Sequence, residues 1–262
     1  MTAVAISLLD LPNTYISGFT IAVASNTTLT VSAGICRDST NGVDINLGTS
    51  NIGANGQFIA APLTLNTAVL GANGIDVGAF AASTLYAVYM IADSLGYKPT
   101  ACTMTLASNA TPGLPFGYDV YRLIGYAASD ASTFFLKAYI SGTGNSRVLT
   151  YDATQATSVT AGTSATYAPI ALTALVCPVD NTPVMIHTNW IANAAADILA
   201  YQGFNSTGDA IRVISATAGS TANTVSYDTV LAQLNTAAPS INYKVSAVGG
   251  VAVKVAGFQF FV

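Results

Sequence analysis

The chain predicts an all-β protein, and three observations carry that expectation. None of its 262 residues is glutamate and only eight are lysine or arginine, so the strongest formers of surface helix are missing or scarce. Thr, Val, Ser, Asn, Gly and 13 tyrosines fill the chain instead, which is strand and turn material. Several segments alternate apolar and polar residues with a period of two.

The first clean alternation is Leu29, Val31, Ala33 and Ile35 against Thr28, Thr30, Ser32 and Gly34, which predicts one half-buried strand. Asp38-Ser39-Thr40-Asn41-Gly42 is a turn run, and Val43, Ile45 and Leu47 then alternate with Asp44 and Asn46, so the pair reads as a hairpin. Asn55-Gly56 and Asn73-Gly74 mark further tight turns. Leu85 to Ile91 is apolar on both faces, as in a central strand with one side on the core and the other under a neighbouring subunit or layer; pattern alone also permits a buried helix. Phe134 to Ile140 repeats the theme, with Phe134, Leu136, Ala138 and Ile140 on one side and Phe135, Lys137 and Tyr139 on the other.

Between Ser141 and Tyr167 the residues become small, polar and nearly chargeless, which places a domain boundary there and divides the chain into 1–148 and 149–262. Strand patterns resume over Ile170–Cys177, Val184–Ile191, Asp197–Gln202, Ile211–Ser215, Ile241–Ala247 and Val251–Val262, with Ala192 to Asp197 as a hairpin loop. In the last strand Val251, Val253 and Val255 have one parity and Phe258, Phe260 and Val262 the other. A β-bulge at Gly257 would return the aromatics to the valine face and leave Lys254 and Gln259 outward.

Charge bounds the function. Twenty charged side chains spread over roughly 10,700 Å² of folded surface leave about one per 540 Å², against about one per 165 Å² at ordinary composition. Mean hydropathy is +0.52 and 52% of residues are apolar. An exterior of this kind implies an obligate oligomer or a packed assembly. No stretch approaches the roughly 18 to 20 apolar residues of a spanning helix, so no membrane insertion is expected. Met1 to Asn13 lacks a basic flank and is broken by Ser7 and Asp10; it reads as a docking arm ended by Pro12 rather than as an export signal, which implies production in a cytoplasm. Without export the sequons at Asn26, Asn109 and Asn205 carry no meaning. A pI near 4.5 with scattered basic residues argues against nucleic acid as a partner.

Chemistry is sparse. Cys36, Cys102 and Cys177 are odd in number, widely spaced and read as buried thiols; with His187 the sole histidine, no metal or other cofactor is expected. The aspartates lie mostly beside Gly, Asn, Ser or Pro, where a carboxylate caps its own turn, and no spacing offers a glycosidase pair. No GxSxG elbow, phosphate loop or complete calcium loop occurs. His187 shares parity with Met185, Asn189 and Ile191 and reads as a structural or interface histidine. Trp190, the single tryptophan, reads as a core anchor ahead of a sugar platform. The expectation is a non-enzyme.

Leu114-Pro115-Phe116-Gly117-Tyr118 followed by Tyr121-Arg122-Leu123-Ile124-Gly125 resembles an LPxGY…RxIG signature of tailed-bacteriophage fibre and baseplate-associated proteins. Gly18 to Ile21, Leu29 to Asp38 and Val43 to Leu47 are similar to the strands preceding it in such proteins, and Tyr243-Lys244-Val245 with Val255 to Phe260 resembles their closing sandwich. The resemblance implies two β-sandwich, jelly-roll-like domains assembled as a homotrimer. It implies a virion structural protein, a short tail fibre, spike or collar-type component built in the host cytoplasm, with host attachment as a further role. A capsid decoration or head-fibre protein is the alternative within that class, and a carbohydrate-binding, lectin-like or depolymerase fibre the alternative outside it. The chain shows no shaft repeat or heptads, which favours compact attachment over receptor binding. Candidate ligand or partner contacts are Trp190, His187, Tyr118, Tyr121 and Arg122, with virion proteins of tail, collar or capsid and a host surface glycan as the partners implied.

Overall fold

The computed structural model describes residues 14–48, 51–52, 58–59, 61–109, 111–152, 157–162, 164–171, 183–190, 198–203, 212–215, 224–231, 240–245 and 251–262. Among them are twenty-two strands and no helix, in six sheets, with every strand pairing but one antiparallel. The protein is all-β.

Strands β1 (Ile16–Gly18), β4 (Gly34–Arg37) and β5 (Asp44–Leu47) form one sheet, and β2 (Ile21–Ser25), β3 (Thr28–Val31) and β8 (Leu63–Asn66) a second, each in that spatial order. A ribbon pairs β6 (Asn51–Ile52) with β7 (Phe58–Ile59). In the third sheet β12 (Val120–Ala128) flanks β10 (Leu85–Ala92), followed by β11 (Ala101–Leu106) and β9 (Gly74–Ile75), the last of which runs parallel to β11. The largest sheet runs β13 (Ala138–Thr143), β14 (Ser146–Tyr151), β22 (Val251–Phe261), β17 (Pro183–Trp190) and β20 (Thr224–Leu231), with β15 (Thr157–Gly162) also pairing β22. The remaining sheet has β16 (Ala168–Ala171), β21 (Ser240–Val245), β18 (Ile198–Gly203) and β19 (Arg212–Ser215) in that order.

Every residue of β10 is buried. Leu85, Ala87, Tyr89 and Ile91 enter one core with Tyr126, Leu149, Tyr201, Ile241, Phe258 and Phe260, while Tyr86, Val88 and Met90 enter a second with Phe19, Leu29, Val31, Cys36, Ile45 and Leu65. Each large side chain contributes about 1.5–3 kcal/mol on burial. The two-sided apolar run is thus a central strand, and both of its covering layers belong to the same chain. The first core spans the expected halves: Tyr126 of β12 meets Phe258 and Phe260 of β22 with ring centroids 5.6 and 5.0 Å apart, both edge-on. The boundary expected after residue 148 falls inside β14.

The alternation read over Leu29 to Ile35 is two strands. Ile16 to Gly18 pairs with Gly34 to Cys36, and Ile21 to Ser25 with Thr28 to Val31, so one long hairpin bends from one sheet into another. The corner is held by Phe19 N to Ala33 O at 3.1 Å, Ser32 N to Thr20 O at 3.0 Å and Thr20 N to Ser32 Oγ at 2.8 Å, with Gly18 and Phe19 at positive φ. The bend moves the buried parity from Val31 to Cys36 and leaves Ile35 half-buried. Phe134 to Lys137 is likewise no strand: Phe135 and Leu136 enter different cores and Phe134 is exposed, with β13 starting only at Ala138.

The last strand has the expected bulge, one residue earlier than Gly257, and the side chains of Val251, Val253 and Lys254 lie outside the described residues. Met185 pairs with Gly257 but Ile186 with Val255, so Ala256 is the extra residue of a bulge. Val255, Phe258 and Phe260 consequently share one buried face while Gln259 stays half-exposed. At Gly257 the strand passes from β15 to β14 as its edge partner. Of Ile170–Cys177 only Ile170 and Ala171 are described, both within β16; residues 172–177, the Asn55-Gly56 turn, the loop at 192–197 and the N-terminal thirteen residues lie outside the described residues.

Candidate functional site

Three loops meet at one end of the β10–β12 sheet, each organised by an aspartate. Asp38, with no exposed surface, accepts hydrogen bonds from Thr40 N (2.9 Å), Gly42 N (2.7 Å), Val43 N (2.7 Å) and the Thr40 hydroxyl, which closes the β4–β5 hairpin. Burial pushes its pKa up, but these four donors prevail and hold the carboxyl below the usual carboxylate range. Asp93 caps the β10–β11 loop by accepting from Leu95 N (2.9 Å), Tyr97 N (2.9 Å) and Lys98 N (3.1 Å). Asp119 accepts from the Ser94 hydroxyl and from Ser94 N at 2.7 Å, tying that loop to the start of β12; the Ser94 donors lower its pKa. Ser39 N, donating to Tyr121 O at 2.8 Å, joins the third loop.

On this frame stands Phe116, 94% exposed. The Lys98 ammonium donates to the Phe116 carbonyl and lies 5.2 Å from the Phe116 ring centroid and 5.4 Å from that of Tyr118. Gly117, at φ +83°, admits Lys98: a Cβ there would stand 2.4 Å from its Cε. Leu95 and Tyr97 are also exposed on the adjoining loop. The result is an apolar tip whose carboxylates are all engaged by backbone and hydroxyl donors.

Of the residues singled out from sequence, Tyr118 and Tyr121 belong to this end. Tyr118 donates its hydroxyl to Pro99 O at 3.1 Å, and burial followed by the Asp93 charge raises its pKa. Tyr121 meets Tyr89 edge-on at 5.8 Å. Arg122 points inward. It is 7% exposed and donates through Nη2 to Thr14 O (3.2 Å) and Val262 O (2.7 Å). His187 and Trp190 are elsewhere, on β17: His187 pairs by register with Tyr227 and Lys254, Trp190 with Thr224 and Val251. Tyr118 and Tyr121 share one end of the sheet and Arg122 turns inward; the side chains of His187 and Trp190 lie outside the described residues.

A second buried arginine gave no signal beyond being a lone charge in an alternating strand. Arg147, 5% exposed, donates to Gly18 O (2.8 Å), Phe19 O (3.2 Å) and Ile124 O (3.0 Å), and desolvation lowers its pKa. The two guanidinium groups thereby tie the hairpin corner, β12, β14 and the C-terminal strand together. Cys36 lies within their field, yet burial dominates and pushes its thiol up to about 12. Cys102, buried with its amide hydrogen-bonded to Asn73 Oδ1 at 3.1 Å, is also pushed up to about 12. Among the described residues no three His, Cys, Asp or Glu side chains gather as a metal site, and no helix is long and apolar enough to cross a membrane.

Comparison with known protein families finds none that matches this chain, and no curated protein matches it significantly.

Proposed function

We propose that this chain is a non-enzymatic building piece of a larger assembly, and that the assembly is a bacteriophage virion in which it serves as a short tail fibre, spike or collar-type component. One observation carries the first step. Of a charge complement already small, Asp38, Arg122 and Arg147 are withdrawn into the interior, and Asp93, Asp119 and Asp130 are turned onto backbone amides. The exterior is left poorer in free charge than composition alone implies, which suits a surface covered by protein. The second step rests on the LPxGY…RxIG resemblance, whose Phe116 and Gly117 form the tip. Two jelly-roll-like sandwiches and a homotrimer complete the reading, with a capsid decoration or head-fibre role as its variant.

Mass spectrometry and immunogold labelling of purified particles from the encoding genome test it. Labelling at the tail with tens of copies per particle supports the tail role, hundreds on the shell the decoration role, and absence from particles overturns both.

A second reading, carbohydrate binding, is favoured by the exposure of Phe116, 94% open on a loop that Lys98 contacts, since a ring open to solvent can stack on a sugar face. Saccharide-induced shifts in the NMR spectrum that vanish in Phe116→Ala support it; release of reducing ends from host polysaccharide would replace the non-enzyme reading.

A further inference from the structure

We infer that the N-terminal segment, residues 1–13, docks on the Phe116 tip of a neighbouring copy, so that each chain lends an arm to the next. The contact rests on the assembly reading above and supplies its joint; with an arm in place, the tip has no room for the saccharide of the second reading.

The tip selects its occupant by size and charge. Phe116, Leu95 and Tyr97 are 94%, 71% and 62% exposed, and the loop carrying the last two leads into Lys98, whose ammonium lies against the rings of Phe116 and Tyr118. The nearby carboxylates are engaged: Asp93 accepts from Leu95 N, Tyr97 N and Lys98 N, and Asp119 from Ser94. The partners of the Lys98 ammonium are the Phe116 carbonyl oxygen and the two rings, all neutral, so a carboxylate is the group that would complement it. A patch of three side chains is smaller than the ~800 Å² each partner contributes to a standard interface. It suits a short extended segment better than a globular face.

Residues 1–13, which lie outside the described residues, carry that chemistry. In an extended chain Val4, Ile6 and Leu8 share one face, and the next residue of the same parity is Asp10, the one charged side chain of the segment. Three apolar side chains and a carboxylate thus answer three apolar side chains and an ammonium, and the contact buries no charge without an opposite.

The arm departs from a fixed point near a tip. Thr14 N donates to Asn41 Oδ1 at 2.7 Å, Thr14 O accepts from Arg122 Nη2 at 3.2 Å, and Thr14 Oγ1 accepts from Asn145 Nδ2 at 2.7 Å. Asn41 belongs to the β4–β5 loop, one of the three that meet at the tip's end of the sheet, and Arg122 follows Phe116 by six residues. From Val4 to Thr14 the chain can span roughly 33 Å, enough to reach the same end of a copy packed alongside. An arm passed from copy to copy is a head-to-tail contact, which closes into a ring when repeated about an axis, as a homotrimer requires. An arm folded onto its own tip would join no copies and leave the charge-poor exterior uncovered.

The test compares wild type with Leu8→Asp, Phe116→Asp, Asp10→Lys, Lys98→Asp and the double variant Asp10→Lys/Lys98→Asp by sedimentation velocity across nanomolar to micromolar concentration, with circular dichroism to verify folding. Leu70→Lys, on another exposed loop, is the control. Expected are a wild-type oligomer, a dissociation constant raised at least tenfold in each single variant of arm or tip, recovery in the charge-swapped double variant, and no change in the control. Should Lys98→Asp disturb its loop, p-benzoylphenylalanine at position 116, in a mixture of isotopically light and heavy chains, reads the same contact: crosslinks to residues 1–13 of a second copy support it. A wild-type oligomer indifferent to the arm and tip variants, or crosslinks confined to the same chain or to other surfaces, overturns the arm contact while leaving the assembly reading in place. A wild-type monomer at every concentration overturns both.

Discussion

Gly257 lies against the backbone of Leu149 so closely that a Cβ built on it would stand 2.0 Å from the Leu149 carbonyl oxygen. The glycine is therefore the condition under which the bulged β22 approaches β14 and turns Phe258 and Phe260 into the core. Gly257→Ala forces the two strands apart and is expected to cost about 2–4 kcal/mol, beyond ordinary overpacking because backbone must move. Urea denaturation followed by tyrosine fluorescence measures it; a loss under 0.5 kcal/mol would show that the strands separate freely.

Arg147→Ala removes the donors of three carbonyl oxygens at the hairpin corner and on β12, and is expected to destabilise by about 3–5 kcal/mol. Arg147→Lys, with one compact donor group in place of a planar fork, recovers only part of that loss. Chemical denaturation of both variants should rank wild type above Lys and Lys above Ala; equal stability of all three contradicts the clamp.

The acid limb of stability reports on Asp38. Its folded pKa lies below the unfolded value of about 4, so its contribution is fully present above that value and is lost as pH falls through the depressed folded value. Asp38→Asn is expected to lose about 2 kcal/mol at pH 7 and to show a shallower decline between pH 4 and pH 2 than wild type. Parallel acid profiles for the two proteins would remove Asp38 from the account.

Thiol chemistry tests the cores. With folded pKa values near 12 and no solvent access, Cys36 and Cys102 should resist Ellman's reagent at pH 8 in a Cys177→Ser background and react fully in urea. Because both pKa values are raised, the two thiols favour the folded state fully below the ordinary thiol pKa of about 8.5, and that contribution falls away as pH rises toward 12. Rapid labelling of either cysteine in the native protein contradicts the burial.

How far the fold could be read in the residues depended on whether the informative interaction was local. The parity switch around Gly257 was legible because alternation itself changes phase there, and the turn duties of Asp38 and Asp93 because their neighbours are turn formers. The corner at Ser32–Ala33 was not, since a bend shared by both strands of a hairpin leaves each strand's pattern almost intact and depends on Thr20, twelve residues away. The cover over the second face of β10 was equally invisible, because it comes from strands 20 to 70 residues earlier in the chain. Arg122 looked like a surface contact in its signature; its inward course follows from carbonyl oxygens at Thr14 and Val262, more than a hundred residues away in either direction. Phe116, Lys98 and Leu95 form a tip only because two loops meet, and neither loop alone announces it.

The central claim is that this charge-poor exterior is made to be covered. Native mass spectrometry of the purified chain at micromolar concentration tests it most directly: the account predicts a single species of about 80 kDa, three times the 26.7 kDa chain, persisting on dilution. A monodisperse, fully folded 26.7 kDa monomer under the same conditions would contradict it.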